Sequence, residues 1–125
     1  MAESYGITEE NLTIKNLLSG GHPVVLYPIV LGSGAGELVS GQVLGRKTSD
    51  FKYYKFSAAA SDGTETPRAV LARDTNASSA DASTTAYVHG EFNQDKLDWN
   101  SATSGQIDEA KRKLAEFGIY VKKIG

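Results

Sequence analysis

The sequence predicts a mainly-β or α+β domain, a small body of short strands with one C-terminal helix and a flexible N-terminal arm. Three observations carry this expectation. Short β-branched and aromatic runs alternate with Gly, Pro and Asp-Gly punctuation from residue 23 onward. One stretch alone, residues 103–118, has sustained helical periodicity. The first 20 residues scatter their apolar positions and close on Ser19-Gly20-Gly21.

In that opening segment Ile7, Ile14 and Leu18 fit one helix face, whereas Leu12 and Ile14 alternate as in a strand. Neither pattern dominates, so residues 1–20 are expected to be an arm whose apolar side chains bury only against another surface. Residues 21–125 form the single β-rich domain. "PVVLYPIVL" has strand composition, but Pro28 limits it to an edge strand or to two short strands. "GSGAG" is a loop, a tight hairpin or a barrel corner. "ELVSGQVLGR" gives two short strands about Ser40-Gly41, and "DFKYYKF" gives another. Asp62-Gly63 marks a turn, "RAVLAR" is a short buried strand, and "DTNASSADASTT" reads as a polar surface loop. "AYVHGEF" is the next strand. After it Asn93 suits an N-cap, with Phe92 and Leu97 spaced as a hydrophobic staple.

The helix prediction rests on agreement between several local signals. Thr103 and Gln106 have capping-box spacing, and Ile107, Ala110, Leu114 and Phe117 recur on one face. Asp108/Arg112 and Glu109/Lys113 are i,i+4 pairs with the acid first, and Gly118 stands where a left-handed residue ends a helix. "IYVKKI" then alternates as a last strand. The lone Trp99 is expected to cover one end of the core, and Tyr53, Tyr54 and Phe56 to be core or interface aromatics.

Composition narrows function. With 125 residues, 40% apolar and 22% charged, the chain suits one soluble domain. A net charge of −2 argues against a nucleic-acid partner, and the densest basic run, Lys111-Arg112-Lys113, is interleaved with Asp108, Glu109 and Glu116. The longest apolar run has two prolines and is too short to span a membrane. The N-terminus lacks the basic and apolar regions of a secretory signal, so synthesis and use in the cytosol, or in an assembly made there, is expected. With no cysteine, disulfides and Cys-based zinc sites are excluded.

Two segments invite chemistry. In "YVHGEFN", strand alternation puts Tyr87, His89 and Glu91 on one face and Val88, Gly90 and Phe92 on the other. His-x-Glu occurs in zinc deaminases, but those also need a Pro-Cys-x-x-Cys pair, and His22 is the only other histidine. No metal site is expected. The Gly32–Gly36 loop resembles a phosphate cradle, yet Glu37 follows where a P-loop needs Lys-Ser/Thr. No catalytic constellation and no cofactor site is expected, and His89 and Glu91 read as surface or subunit-contact residues.

Five motifs in order resemble the head decoration proteins of tailed phages, the lambda protein D type. They are "NLLSGGHPVV", "GELVSGQVLGR", "SAAASDGTETPRAVLARD", "VHGEFNQDKL" and "AKRKLAEFGIYVK". The resemblance covers nearly the whole chain and departs from the family at "GSGAG" and at the N-terminal extension. It implies a β-clip-like subunit forming homotrimers on the outer surface of an expanded capsid, at threefold and local threefold positions. The trimer would clamp the major capsid protein against the pressure of packaged DNA. It also implies an arm that orders on the capsid, with Ile7, Leu12, Ile14, Leu17 and Leu18 as its anchors. The alternative is a small ligand-binding or hydrolytic domain using His89, Glu91 and the Gly32–Gly36 loop.

Overall fold

The structure, a computed structural model, describes residues 24–122. It contains β1 (Val25–Leu31), β2 (Gly36–Leu38), β3 (Val43–Arg46), β4 (Tyr53–Lys55), β5 (Pro67–Leu71), β6 (Thr75–Ala77), β7 (Ala82–Asn93) and β8 (Ile119–Lys122). A 3-10 turn, Gln94–Lys96, and one helix, α1 (Ser104–Glu116), lie between β7 and β8. The expected class, mostly β with one late helix, is what these residues form.

The strands β1-β4-β3-β5-β7-β8 make one sheet, and a further β1–β7 pairing closes it like a barrel; β2 and β6 form a separate small ribbon. Closure is uneven. β1 runs antiparallel to β7 over all seven of its residues but meets β4 through a single parallel pair, Leu31 with Tyr53. The walls of the barrel therefore splay apart beside β1.

Two apolar clusters are packed by the pleat of the same strands. Val43, Val70 and Tyr87 face one cluster with Phe56, Phe92, Trp99, Leu114 and Ile119. Their neighbours Leu44, Ala69, Leu71 and Ala86 face the other, with Ile29, Leu31, Leu38 and Ala77. Strands buried on both sides need continuous apolar sequence rather than alternation, which accounts for "QVL" and "RAVL". Each fully buried Leu or Phe contributes about 1.5–3 kcal/mol. The helix closes the first cluster by burying Ala110 and Leu114.

Local signals were realised closely. Thr103 accepts from the Gln106 amide and Gln106 accepts from the Thr103 amide, completing the capping box. Gly118, at φ +86°, ends the helix, and Glu109 pairs with Lys113 at 3.8 Å. Asn93 caps the 3-10 turn through the Asp95 amide, and Phe92 and Leu97 join the same cluster. Trp99 is buried edge-on to Phe56.

Three expectations need correction, and the alternative left open at Pro28 resolves to the edge strand. "DTNASSADASTT" is not a simple surface loop. It holds β6, paired with β2, and the first residues of β7, and Ala77 is fully buried. Pro28 does not split β1. The Gly32 amide donates to the Tyr53 carbonyl, away from β7, so the even-numbered residues of β1 turn their main-chain groups outward. The Thr85 carbonyl, opposite Pro28, likewise accepts from the amide of Ala72, just after β5. Pro28 thus lacks a donor only on the open side, and β1 is one edge-type strand. Tyr87 does not share the face of His89 and Glu91: the β1–β7 register jumps at Val88, a bulge that resets the alternation. Tyr87 consequently meets Phe92, 5.3 Å between ring centroids. Finally, Phe117 leaves the apolar face of α1 and stays 38% exposed under the Arg68 guanidinium.

Candidate functional site

His89 and Glu91 do lie on one side of β7, facing β8. The His89 ring meets Tyr120 edge-on at 6.3 Å, and the Glu91 carboxylate lies 3.0 Å from the Lys122 ammonium. Tyr120 and Lys122 are two apart on β8, which runs parallel to β7 in the register Glu91 with Tyr120. Glu91 is not a surface residue, as its side chain is only 7% exposed. A carboxylate so desolvated needs a partner, and Lys122 supplies one. Among the described residues no group of three or more His, Cys, Asp or Glu side chains is arranged to hold a metal. The pair ties β7 to β8 and has the geometry of a strand-to-strand fastening.

The glycine loop is likewise committed to structure. The Gly32 amide donates to Tyr53, Gly34 to Ala77, and Ala35 back to Gly32. Its amides close the corner between β1 and β2 rather than converging on an anion. A network of charges fixes the same end of the barrel. The Asp81 carboxylate accepts from the Ser33 amide and from the Lys52 ammonium, at 2.8 and 2.6 Å. Asp50 accepts from the Lys52 amide and the Tyr54 hydroxyl. The hydrogen bond from Lys52 holds the Asp81 carboxyl below the usual range, and Asp81 in turn raises Lys52. Asp50 is lowered first by the Lys52 amide.

A groove of mixed character lies in the gap beside β1, with Arg46, Asp50 and Lys52 in its lining. Its volume is about 500 Å³, and Tyr27, Ile29, Val30, Phe51, Tyr53 and Ser83 line it too. Tyr27 is 61% and Phe51 66% exposed. Phe51 sits at φ +59°, a left-handed conformation that a bulky side chain rarely adopts, with the Arg46 guanidinium 5.4 Å from its ring. Sequence reading missed this groove. The edge character of β1 was legible from Pro28, but the approach of residues 46–53 from another part of the chain was not. The predicted anchors Ile7, Leu12, Ile14, Leu17 and Leu18 lie outside the described residues.

His89 packs against Tyr120, Glu91 pairs with Lys122, and the glycine loop is held by main-chain hydrogen bonds. The family model described as bacteriophage lambda head decoration protein D matches residues 6–119. The chain belongs to that family. No curated protein matches it. Membership in the head decoration family supports a capsid-decorating role and association with the virion capsid. The family is a structural one rather than an enzyme class. Within the fold, "VHGEFNQDKL" is the decoration protein's β7 end and capped turn, and "AKRKLAEFGIYVK" its α1–β8 unit.

Proposed function

We propose that the protein coats the outside of a phage head as a homotrimer, at threefold and local threefold sites, and reinforces the shell against packaged DNA. The observation that carries this reading is the family match, which spans both the described domain and most of the arm. The partner is the major capsid protein, engaged by residues 1–20 through Ile7, Leu12, Ile14, Leu17 and Leu18. An extended arm adds main-chain hydrogen bonds to a sheet edge, with pockets selecting its side chains. Ordering it costs about 1–2 kcal/mol per residue, so one arm alone binds weakly. Three arms on a trimer act at high effective concentration and offset that cost. The role needs no cofactor and no nucleic acid.

Deleting residues 2–18 tests the arm. The truncated chain is expected to keep its fold and lose most of its affinity for undecorated expanded heads in a sedimentation assay. Coating as tight as that of the full chain would remove the arm from the account.

A further inference from the structure

We infer that the pocket between Arg46 and Arg68 is a binding site for a carboxylate, the side chain of an Asp or Glu that a partner protein presents. β3 and β5 pair antiparallel with Gly45 opposite Pro67. Arg46 and Arg68, each one residue further along its own strand, line one pocket of about 190 Å³. Both are partly buried. The Arg46 guanidinium lies 5.4 Å from the centre of the Phe51 ring, and that of Arg68 lies 4.7 Å from the centre of the Phe117 ring. A ring face attracts the charge of a guanidinium but leaves its N–H donors unfilled. Among the described residues, neither arginine has an ion pair or a hydrogen-bond acceptor to fill them. Two partly buried cations in one pocket repel each other, and an anion between them relieves that repulsion.

The chemistry of the lining selects the ligand. Two guanidiniums stand against one carboxylate, Glu65, which leaves a single positive charge in excess. Glu65 is already committed to its own turn, accepting from the Gly63 amide at 2.8 Å. The Thr48 hydroxyl is committed too, donating to the Asp62 carbonyl. One excess positive charge matches a carboxylate better than a phosphate group, which carries about −1.5 to −2 at pH 7. The planar fork of an arginine also fits the two oxygens of a carboxylate. The pocket is smaller than the roughly 300–1,000 Å³ of a small-molecule site, and suits one inserted side chain. Phe51 is 66% and Phe117 38% exposed beside these cations, so a carboxylate that arrives on a protein meets apolar ring as well as charge. Arginine and aromatic side chains together are the types enriched where proteins bind proteins.

The test is a titration of the isotope-labelled full chain with the capped tripeptide acetyl-Ala-Glu-Ala-amide. NMR reads it on the Arg46 and Arg68 Nε–H groups and on the Gly63 and Thr66 amides. These signals are expected to shift together and saturate, while the same peptide with Gln in place of Glu leaves them unmoved. Arg46→Lys/Arg68→Lys keeps both charges and loses both planar forks. Roughly tenfold weaker peptide binding is expected of it, with unchanged thermal unfolding. The source of the carboxylate is read from solution mass and from coating of expanded heads. A Lys variant that keeps the parent's mass but coats heads more weakly places the carboxylate on the head, and one whose mass falls places it on a second copy. Three results overturn the inference: no saturating shift with the Glu peptide, inorganic phosphate bound as tightly as that peptide, or a Lys variant equal to the parent in both mass and coating. The pocket's chemistry stands apart from the decoration reading, so a parent that fails to coat heads overturns that reading while the titration still judges the site.

Discussion

Gly90 and Glu91 show how single residues set the site's character. Gly90 sits at φ +151°, and a Cβ there would stand 3.1 Å from Val24 and 3.3 Å from the Phe92 ring. Gly90→Ala is expected to destabilise the domain by more than about 1 kcal/mol, through backbone strain together with crowding. The shift of the urea midpoint measures it. Phe92, fully buried against Tyr87, is the heavier anchor, and Phe92→Ala is expected to cost about 3–5 kcal/mol. Both values are read from the same denaturation series, and a Phe92→Ala midpoint within error of the parent would contradict the packing described. At this scale the sequence was half legible. His89 and Glu91 do share a side, as alternation requires, but the Val88 bulge that sends Tyr87 to the core has no local signature.

Elements whose signals are short-range were readable, and those held by distant partners were not. The helix announces its start, face and stop within residues 103–118, because capping and i,i+4 contacts are local. Thr103→Ala is expected to cost about 1 kcal/mol by freeing the Gln106 amide, seen as a small loss of thermal stability with unchanged helix content at 25 °C. β6 is different. "TNA" has poor strand propensity and becomes a strand because Gly36–Leu38 lies alongside it. A hydrogen bond of 2.8 Å between the Thr75 and Thr84 hydroxyls joins it to β7. The groove beside β1 arises in the same way, from the long-range approach of residues 46–53, and so escapes any window along the sequence.

At the scale of the whole molecule, hydrogen-bonded carboxylates stitch the loops while the helix covers the cluster around Val43, Val70 and Ile119. Asp50 and Asp81 are lowered by hydrogen bonds from Lys52, and Asp62 by the Thr64 hydroxyl and amide. A carboxyl lowered in the folded state contributes stability that is complete above its unfolded value, about 3.9. That contribution is lost as pH falls through the lower folded value. Thermal stability is therefore expected to hold from neutral pH to about pH 5 and to fall below pH 4. Asp81→Asn is expected to lower stability at pH 7 and to flatten that acid limb. The effect is small because these carboxylates are exposed to solvent. An unchanged acid limb in the variant would remove Asp81 from the network's titration.

The central claim, that this domain decorates a phage head, is tested most directly by mixing the full chain with undecorated, expanded heads of a phage that encodes it. Bound protein is then measured after sedimentation. Saturable coating is predicted, at one trimer per threefold or local threefold site. Protein that stays in the supernatant at every concentration would contradict the account.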